Sequence, residues 1–178
     1  MDLDAFDYAL PPEAIAQTPA PDRDAARLLV IDRRRGAWAD HVFADLPVLL
    51  RPGDCLVVNN SRVIPARVLA RDAGGRRVEL LFAEPVGDGR WRALTRPGRR
   101  TRPGVRLTVG EPAAAELRVV GVEAGGLRLV ERVDGTISDL LDRHGQVPLP
   151  PYIRRFTAPD PADAERYQTV YARPPGSV

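Results

Sequence analysis

Gly53-Asp54-Cys55-Leu56-Val57-Val58-Asn59-Asn60-Ser61-Arg62-Val63-Ile64-Pro65-Ala66-Arg67 is the stretch on which the fold turns. The apolar run Cys55 to Val58 is followed at once by two amides, a hydroxyl and a guanidinium. A short β-branched run bounded by Pro52-Gly53 and Asn59-Asn60 predicts a buried strand. Such a strand would deliver Asn59, Asn60, Ser61 and Arg62 to its C-terminal edge, where open α/β sheets bind ligands. An asparagine-rich turn capped by surface arginines fits the same residues equally well. On their own they do not choose.

Working outward, a chain of 178 residues accommodates one domain or two small ones. With 44% hydrophobic residues it can bury a core, and no apolar run approaches the length of a membrane span. Met1-Asp2-Leu3-Asp4 lacks the pattern of a signal peptide. One cysteine excludes an intrachain disulfide and points to a reducing cytoplasm. Cys55, inside its apolar run, reads as a buried strand residue rather than a nucleophile.

All 26 basic residues are arginine, which together with abundant Ala, Pro and Gly reflects genomic base composition more than function. Distribution is more informative: Arg90, Arg92, Arg96, Arg99, Arg100, Arg102 and Arg106 crowd one short region. Clustered cations are the electrostatic footprint of a nucleic-acid surface, and Arg99, Arg100 and Arg102 are the candidate RNA contacts. A solvated basic face is the other reading.

Before the opening stretch, Pro11-Pro12-Glu13 predicts a short helix from Glu13 to Gln17, ended by Pro19 and Pro21. Arg27 to Asp32 predicts a strand, Arg33 to Gly36 a turn, and Trp38 lies in a second strand. Phe43, Leu46, Leu49 and Leu50 recur at helical spacing and predict a core-facing helix stopped by Pro52-Gly53.

After Val68 the texture changes. Val78 to Phe82, Arg90 to Thr95, Val105 to Val109, Leu117 to Val122 and Leu127 to Val133 are short β-rich segments. Turn residues separate them: Gly87-Asp88-Gly89, Pro103-Gly104 and Gly125-Gly126. Regular spacing of this kind indicates an antiparallel barrel or sandwich. The expected fold is therefore a discontinuous α/β domain, residues 1–67 plus 145–178, incomplete at its C-terminal end. It is interrupted by an inserted antiparallel β-barrel domain, residues 68–144, with a short exit helix.

That exit helix is announced by Thr136-Ile137-Ser138-Asp139, which has capping-box spacing. Ile137, Leu140 and Leu141 share one face, and Gly145 suits the position after the helix end. His144, in the last turn, reads as a favourable dipole partner. Pro148, Pro150 and Pro151 then enforce an extended segment that fixes Tyr152. Residues 158–164 read as a Pro- and Asp-rich loop, with a short helix starting near Pro161 or Ala162.

No metal site is expected: one cysteine and two distant histidines, His41 and His144, do not make a zinc constellation. There is no P-loop and no dinucleotide fingerprint. A Ser-His-Asp triad drawn from Ser61, His144 and an aspartate has no support in spacing. What remains is a polar and aromatic set of candidate substrate contacts: Asn59, Asn60, Ser61, Arg62, Arg67, Tyr152, Arg166, Tyr167, Gln168, Thr169 and Tyr171. Amides and hydroxyls read heterocycle edges, while aromatic rings and guanidinium planes stack on splayed-out bases. Each of these residues also has an ordinary structural reading. Asn59 to Arg62 and Tyr152 are expected to converge on one pocket, because the ends of an inserted domain lie close together.

The opening stretch resembles the N-terminal signature of the S-adenosylmethionine:tRNA ribosyltransferase-isomerases. Four further segments are similar to that family, in order: FDYALPPEAIAQTP from Phe6, RDAARLLVIDR from Arg23, GQVPLPPYIRR from Gly145 and RYQTVYARPPGSV from Arg166. Departures are mild: Ser61 stands where threonine is frequent, and Gln146 where histidine is also seen.

The resemblance implies transfer and isomerisation of the ribosyl part of S-adenosylmethionine onto 7-aminomethyl-7-deazaguanine in tRNA. The implied products are epoxyqueuosine, adenine and methionine. S-Adenosylmethionine is then a consumed substrate, with no further cofactor, and tRNA is the partner of an enzyme that is monomeric at full length. The sulfonium acidifies its neighbouring carbon, so a general base and a water-excluding site are required. No such base is apparent here, and the catalytic residues are unassigned. The family continues beyond the Pro-Gly-Ser-Val motif with about as much sequence again, so the chain is expected to be its N-terminal part. The alternative is a non-catalytic RNA-binding barrel module, or an inactive fragment of that enzyme.

Overall fold

The computed structural model describes residues 2–111, 114–154 and 161–177. The chain divides into two compact units, Met1–Val58 with Pro150–Phe156, and Asn59–Leu149 with Thr157–Val178.

In the first unit, Arg27–Asp32 (β1) and Ala37–Val42 (β2) pair as an antiparallel hairpin, Arg27 opposite Val42 and Asp32 opposite Ala37. The Asp32 carboxylate closes the turn by accepting the backbone N–H groups of Arg34 and Arg35 at 2.9 and 3.1 Å, as aspartates do at turns. A 3-10 turn, Phe43–Asp45, leads into the single-turn helix Leu46–Leu49 (α1). Phe43 and Leu50 are exposed and Leu46 and Leu49 only half-buried, so this stripe is helical without being core.

The helix expected from Glu13 to Gln17 is instead one 3-10 turn, Pro12–Ala14, after which Ile15 returns to extended backbone. Gln17 has other work: its side-chain amide donates to the carbonyls of Ile15 and Tyr152 and accepts the N–H of Arg154.

Cys55 to Val58 is not a buried strand. The segment has no ladder partner among the described residues, and Cys55, Leu56, Val57 and Val58 are all exposed. The physical reason is geometric. A strand needs a neighbour to take its backbone hydrogen bonds, and a lone hairpin with one-turn helices cannot enclose a core. None of the described residues of this unit is buried.

The second unit does have a core. Arg62–Val63 (β3) precedes six strands: Arg67–Asp72 (β4), Arg77–Gly87 (β5), Arg90–Arg96 (β6), Arg106–Val109 (β7), Ala115–Val122 (β8) and Arg128–Arg132 (β9). These six close into a wholly antiparallel barrel in the order β4-β5-β6-β9-β8-β7. Period-two alternation sets the inside: Val68 and Ala70, Val78, Leu80 and Phe82, Leu107 and Val109, Leu117 and Val119, with Ala93 and Val130, are buried. Phe82 meets Trp91 edge to face, centroids 6.2 Å apart, a favoured aromatic geometry.

Ile137–His144 (α2) packs Ile137, Leu140 and Leu141 onto this core. Thr136 caps it, its hydroxyl accepting the Asp139 N–H at 3.1 Å. Gly145 does follow the helix, but with φ −70° rather than in the left-handed region. Its reason is space: a Cβ there would lie 2.0 Å from the Pro65 carbonyl oxygen and 2.3 Å from that of Leu141.

Arg67 and Gln146 then exchange backbone hydrogen bonds at 3.0 and 2.8 Å, joining the start of β4 to the segment leaving α2. Pro161–Arg166 (α3) starts where the short helix is expected, within the Pro- and Asp-rich stretch; residues 158–160 lie outside the described ones. Pro175–Ser177 (β10) pairs in parallel with β3.

Candidate functional site

The opening stretch and the segment from Arg166 meet along β3 and β10. Arg62 donates its backbone N–H to the Pro174 carbonyl at 2.7 Å, and Arg173 donates to the Asn60 carbonyl at 2.9 Å. The Gln168 side chain extends this ladder, its Oε1 accepting the Val63 N–H at 2.8 Å and its Nε2 donating to the Val63 carbonyl at 2.9 Å. Thr169 donates its hydroxyl to the Asn59 carbonyl at 2.9 Å. Asn59 turns on itself, its Oδ1 accepting the Ser61 N–H at 2.9 Å.

These contacts sort the candidates. Gln168, Thr169 and Asn59 use their side chains to hold backbone. Asn60 and Arg62 are exposed and Ser61 half-buried, and no hydrogen bond to another described residue occupies their side chains. They present an amide, a hydroxyl and a guanidinium from one braced segment, a set suited to a heterocycle edge and an anionic or hydroxylated group. Tyr167 and Tyr171 are exposed on the facing signature, and Arg166 ends α3 half-buried.

Two candidates belong to other elements. Arg67 sits in β4, its guanidinium 2.9 Å from the Glu79 carboxylate. Tyr152 belongs to the first unit, where its carbonyl accepts from Gln17 and its ring is exposed.

The arginine-rich region divides in the same way. Arg90 faces Glu131, and Arg106 faces Glu116. Arg92 is held by hydrogen bonds from its guanidinium to Glu123 and Glu84, which raise its pKa further above the ordinary arginine value. Arg99, Arg100 and Arg102 have no carboxylate partner among the described residues. They line an open cleft of about 680 Å³ together with Asp72, Arg76 and Arg106.

The cleft walls are built. Buried Asp72 accepts the N–H groups of Gly74 and Arg76, each at 3.0 Å, and the Arg76 Nε at 3.0 Å. Burial alone would push its carboxyl up, but the Arg76 and Gly74 backbone bonds and the Arg76 guanidinium outweigh that and hold it below the usual carboxylate value. On the opposite wall Arg128 clamps the 3-10 turn Gly98–Arg100: its Nε donates to the Thr101 carbonyl at 2.8 Å and a terminal nitrogen to the Gly98 carbonyl at 3.0 Å. Thr101 is buried, its hydroxyl 2.7 Å from that of Thr95.

The roles of Asp72, Thr101 and Arg128 were missed in the sequence. Asp72-Ala73-Gly74-Gly75 carries the aspartate-before-glycine signal of a side-chain-closed turn, whereas nothing local marks Arg128. No group of three or more His, Cys, Asp or Glu side chains that could hold a metal occurs among the described residues.

A closed antiparallel barrel with an arginine-lined cleft and a cross-linked polar signature makes this a barrel-bearing protein. The family profile described as "Queuosine biosynthesis protein" matches residues 3–178, and the chain belongs to that family. It is 47% identical over 179 residues to the S-adenosylmethionine:tRNA ribosyltransferase-isomerase of Heliobacterium modesticaldum, and 50% identical over 183 residues to that of Anaeromyxobacter sp. strain K. Each alignment takes in 100% of this chain and 52% of the relative, so the chain spans about half the length of these curated relatives. A solved S-adenosylmethionine tRNA ribosyltransferase from Thermotoga maritima is 36% identical with a TM-score of 0.41, covering 78% of this chain and 48% of that one. The resemblance carried by the five sequence segments is thereby borne out.

Proposed function

We propose that this chain carries part of the machinery that moves the ribosyl portion of S-adenosylmethionine onto the aminomethyl group of 7-aminomethyl-7-deazaguanine in tRNA. The products of that reaction are epoxyqueuosine, adenine and methionine. The observation that supports this most is the bracing of Asn60, Ser61 and Arg62 by Gln168, Thr169 and Arg173, in a chain that belongs to the queuosine biosynthesis family. Amide, hydroxyl and guanidinium on a fixed backbone suit recognition of a purine-like edge and a ribose or carboxylate. Tyr167 and Tyr171, on the same unit, offer rings for stacking.

S-Adenosylmethionine is a consumed substrate in this reading, with no other cofactor, and the enzyme works in the cytoplasm as a monomer at full length. Deprotonation beside the sulfonium needs a general base and exclusion of water, and exposed Asn60 and Arg62 provide neither. Activity is therefore expected to require the further length that the relatives have. The same length would complete a discontinuous α/β domain, residues 1–67 plus 145–178, around the barrel insertion, and would bury Leu56, Val57 and Val58. A second reading, a non-catalytic RNA-binding barrel module, is favoured by the confinement of buried side chains, among the described residues, to the second unit.

Incubation with S-adenosylmethionine and deazaguanine-modified tRNA separates the two readings. Adenine release once the rest of a relative is supplied supports the transferase; tRNA binding with no adenine even then supports the module.

A further inference from the structure

We propose that the cleft between the Asp72–Arg76 turn and the Gly98–Arg106 segment is a phosphate groove that grips the backbone of RNA. Of the arginines lining the cleft, Arg76 is neutralised by Asp72 at 3.0 Å and Arg106 by Glu116. Among the described residues Arg99, Arg100 and Arg102 have no such carboxylate, the Arg100 guanidinium donating instead to the Arg77 carbonyl at 3.2 Å, so the cleft presents three guanidiniums that an external anion can pair. An uncompensated cluster repels itself unless an anion occupies it.

Shape narrows the ligand. Enclosed metabolite sites cover most of a ligand's surface, whereas this cleft of about 680 Å³ is open to solvent. An open cationic channel fits an extended chain of phosphates. Guanidiniums pair with phosphate oxygens in fork geometry, and such contacts position a nucleic acid without reading its sequence.

Rigidity completes the case. Arg99 and Arg100 lie on a 3-10 turn whose carbonyls are fixed by Arg128 at Gly98 and Thr101, and Thr101 is fully buried beneath it. Across the cleft, Asp72 locks the other wall through three hydrogen bonds. Cations on a scaffold ordered in advance lose less entropy when they bind. Arg128 is the positioning residue of this groove. The choice of RNA over other polyanions rests on the proposed tRNA substrate.

The test is binding of the whole chain to a fluorescent unmodified tRNA transcript across a salt series. Each phosphate contact adds roughly 0.7 to 0.9 to the slope of log affinity against log salt. Replacing Arg99, Arg100 and Arg102 together by Gln is expected to flatten that slope by about 2 to 3. The triple change to Lys should restore most of it. Arg33, Arg34 and Arg35 changed to Gln remove the same charge from the β1–β2 turn and should leave the slope unchanged.

An unaltered slope in the Arg99/Arg100/Arg102 variant, equal flattening in the control, or no tRNA binding by the native chain would each overturn the groove. Should the triple Gln variant not fold, Arg102→Gln alone is expected to lower the slope by roughly 0.7 to 0.9. Adenine release is scored separately, with the rest of a relative supplied. Release with an unaltered slope removes the groove and leaves the transferase, and a flattened slope without release does the reverse.

Discussion

Gln168 reaches across 105 residues of sequence to make both hydrogen bonds of a strand neighbour with Val63, accepting at 2.8 Å and donating at 2.9 Å. A side-chain amide thus stands in for backbone where the β3–β10 ladder is too short to hold itself. Replacing it by Ala leaves the half-buried N–H and carbonyl of Val63 unpaired, at a cost of about 1 to 3 kcal/mol. Hydrogen exchange at Val63 is expected to accelerate, while exchange at Leu80, deep in the barrel, stays unchanged. Gln168→Glu retains the acceptor and loses the donor, so it should fall between.

Gly145 and Gly74 make a matched pair. At Gly145 a methyl group would enter the Pro65 carbonyl at 2.0 Å, whereas at Gly74 the nearest atoms are 3.4 Å away. Gly145→Ala is therefore expected to destabilise the second unit by about 1 to 3 kcal/mol or more, as forced overpacking does. Gly74→Ala should be close to neutral. Urea midpoints of the two variants check this.

Asp72 gives the barrel a defined acid response. Its folded pKa lies below the ordinary 3.8, so the stability it contributes is fully present above that value. It is lost as pH falls through the lower folded value. Asp72→Asn removes this contribution, and the gap in urea midpoint between native and variant should be constant near neutrality and narrow below pH 3.8. A gap that widens on acidification would contradict the sign.

Barrel strands were legible wherever large apolar residues alternate, as in Val78-Glu79-Leu80-Leu81-Phe82, which lies within β5. β4 escaped because its inward positions are Val68, Ala70 and Asp72, too small or too polar to stand out between arginines. The exposed run Cys55 to Val58 shows the limit of local reading: its residues have strand propensity, but a strand exists only with a neighbour. Among the site candidates, side-chain type was informative and role was not. Gln168 and Thr169 have the chemistry of ligand contacts yet spend it on backbone, a pairing over more than a hundred residues that no periodicity announces. Sequence placed Arg99, Arg100 and Arg102 in one basic region; only coordinates separate them from Arg90, Arg92 and Arg106, whose carboxylates sit on other strands.

The contrast between the units predicts their resistance to proteolysis. Leu29, Ile31, Trp38, Leu56 and Val57 are between 56% and 88% exposed, and segments with little buried apolar contact open at low free energy. Brief protease treatment is expected to cut within residues 2–58 first and leave a fragment that includes Arg67 to His144. Leu107→Ala, by costing about 2 to 5 kcal/mol in the barrel, should make that fragment vulnerable as well.

That this chain supplies a working part of a tRNA ribosyltransferase-isomerase is a proposal open to direct measurement. The most direct measurement uses a chimera in which it replaces the matching 52% of the Heliobacterium modesticaldum relative. Adenine released from S-adenosylmethionine is then followed in the presence of deazaguanine-modified tRNA. Release by the chimera is expected, slowed when Gln168→Ala loosens the segment beside Val63, with little release by the chain alone. A folded chimera that binds both substrates and releases no adenine would contradict the proposal.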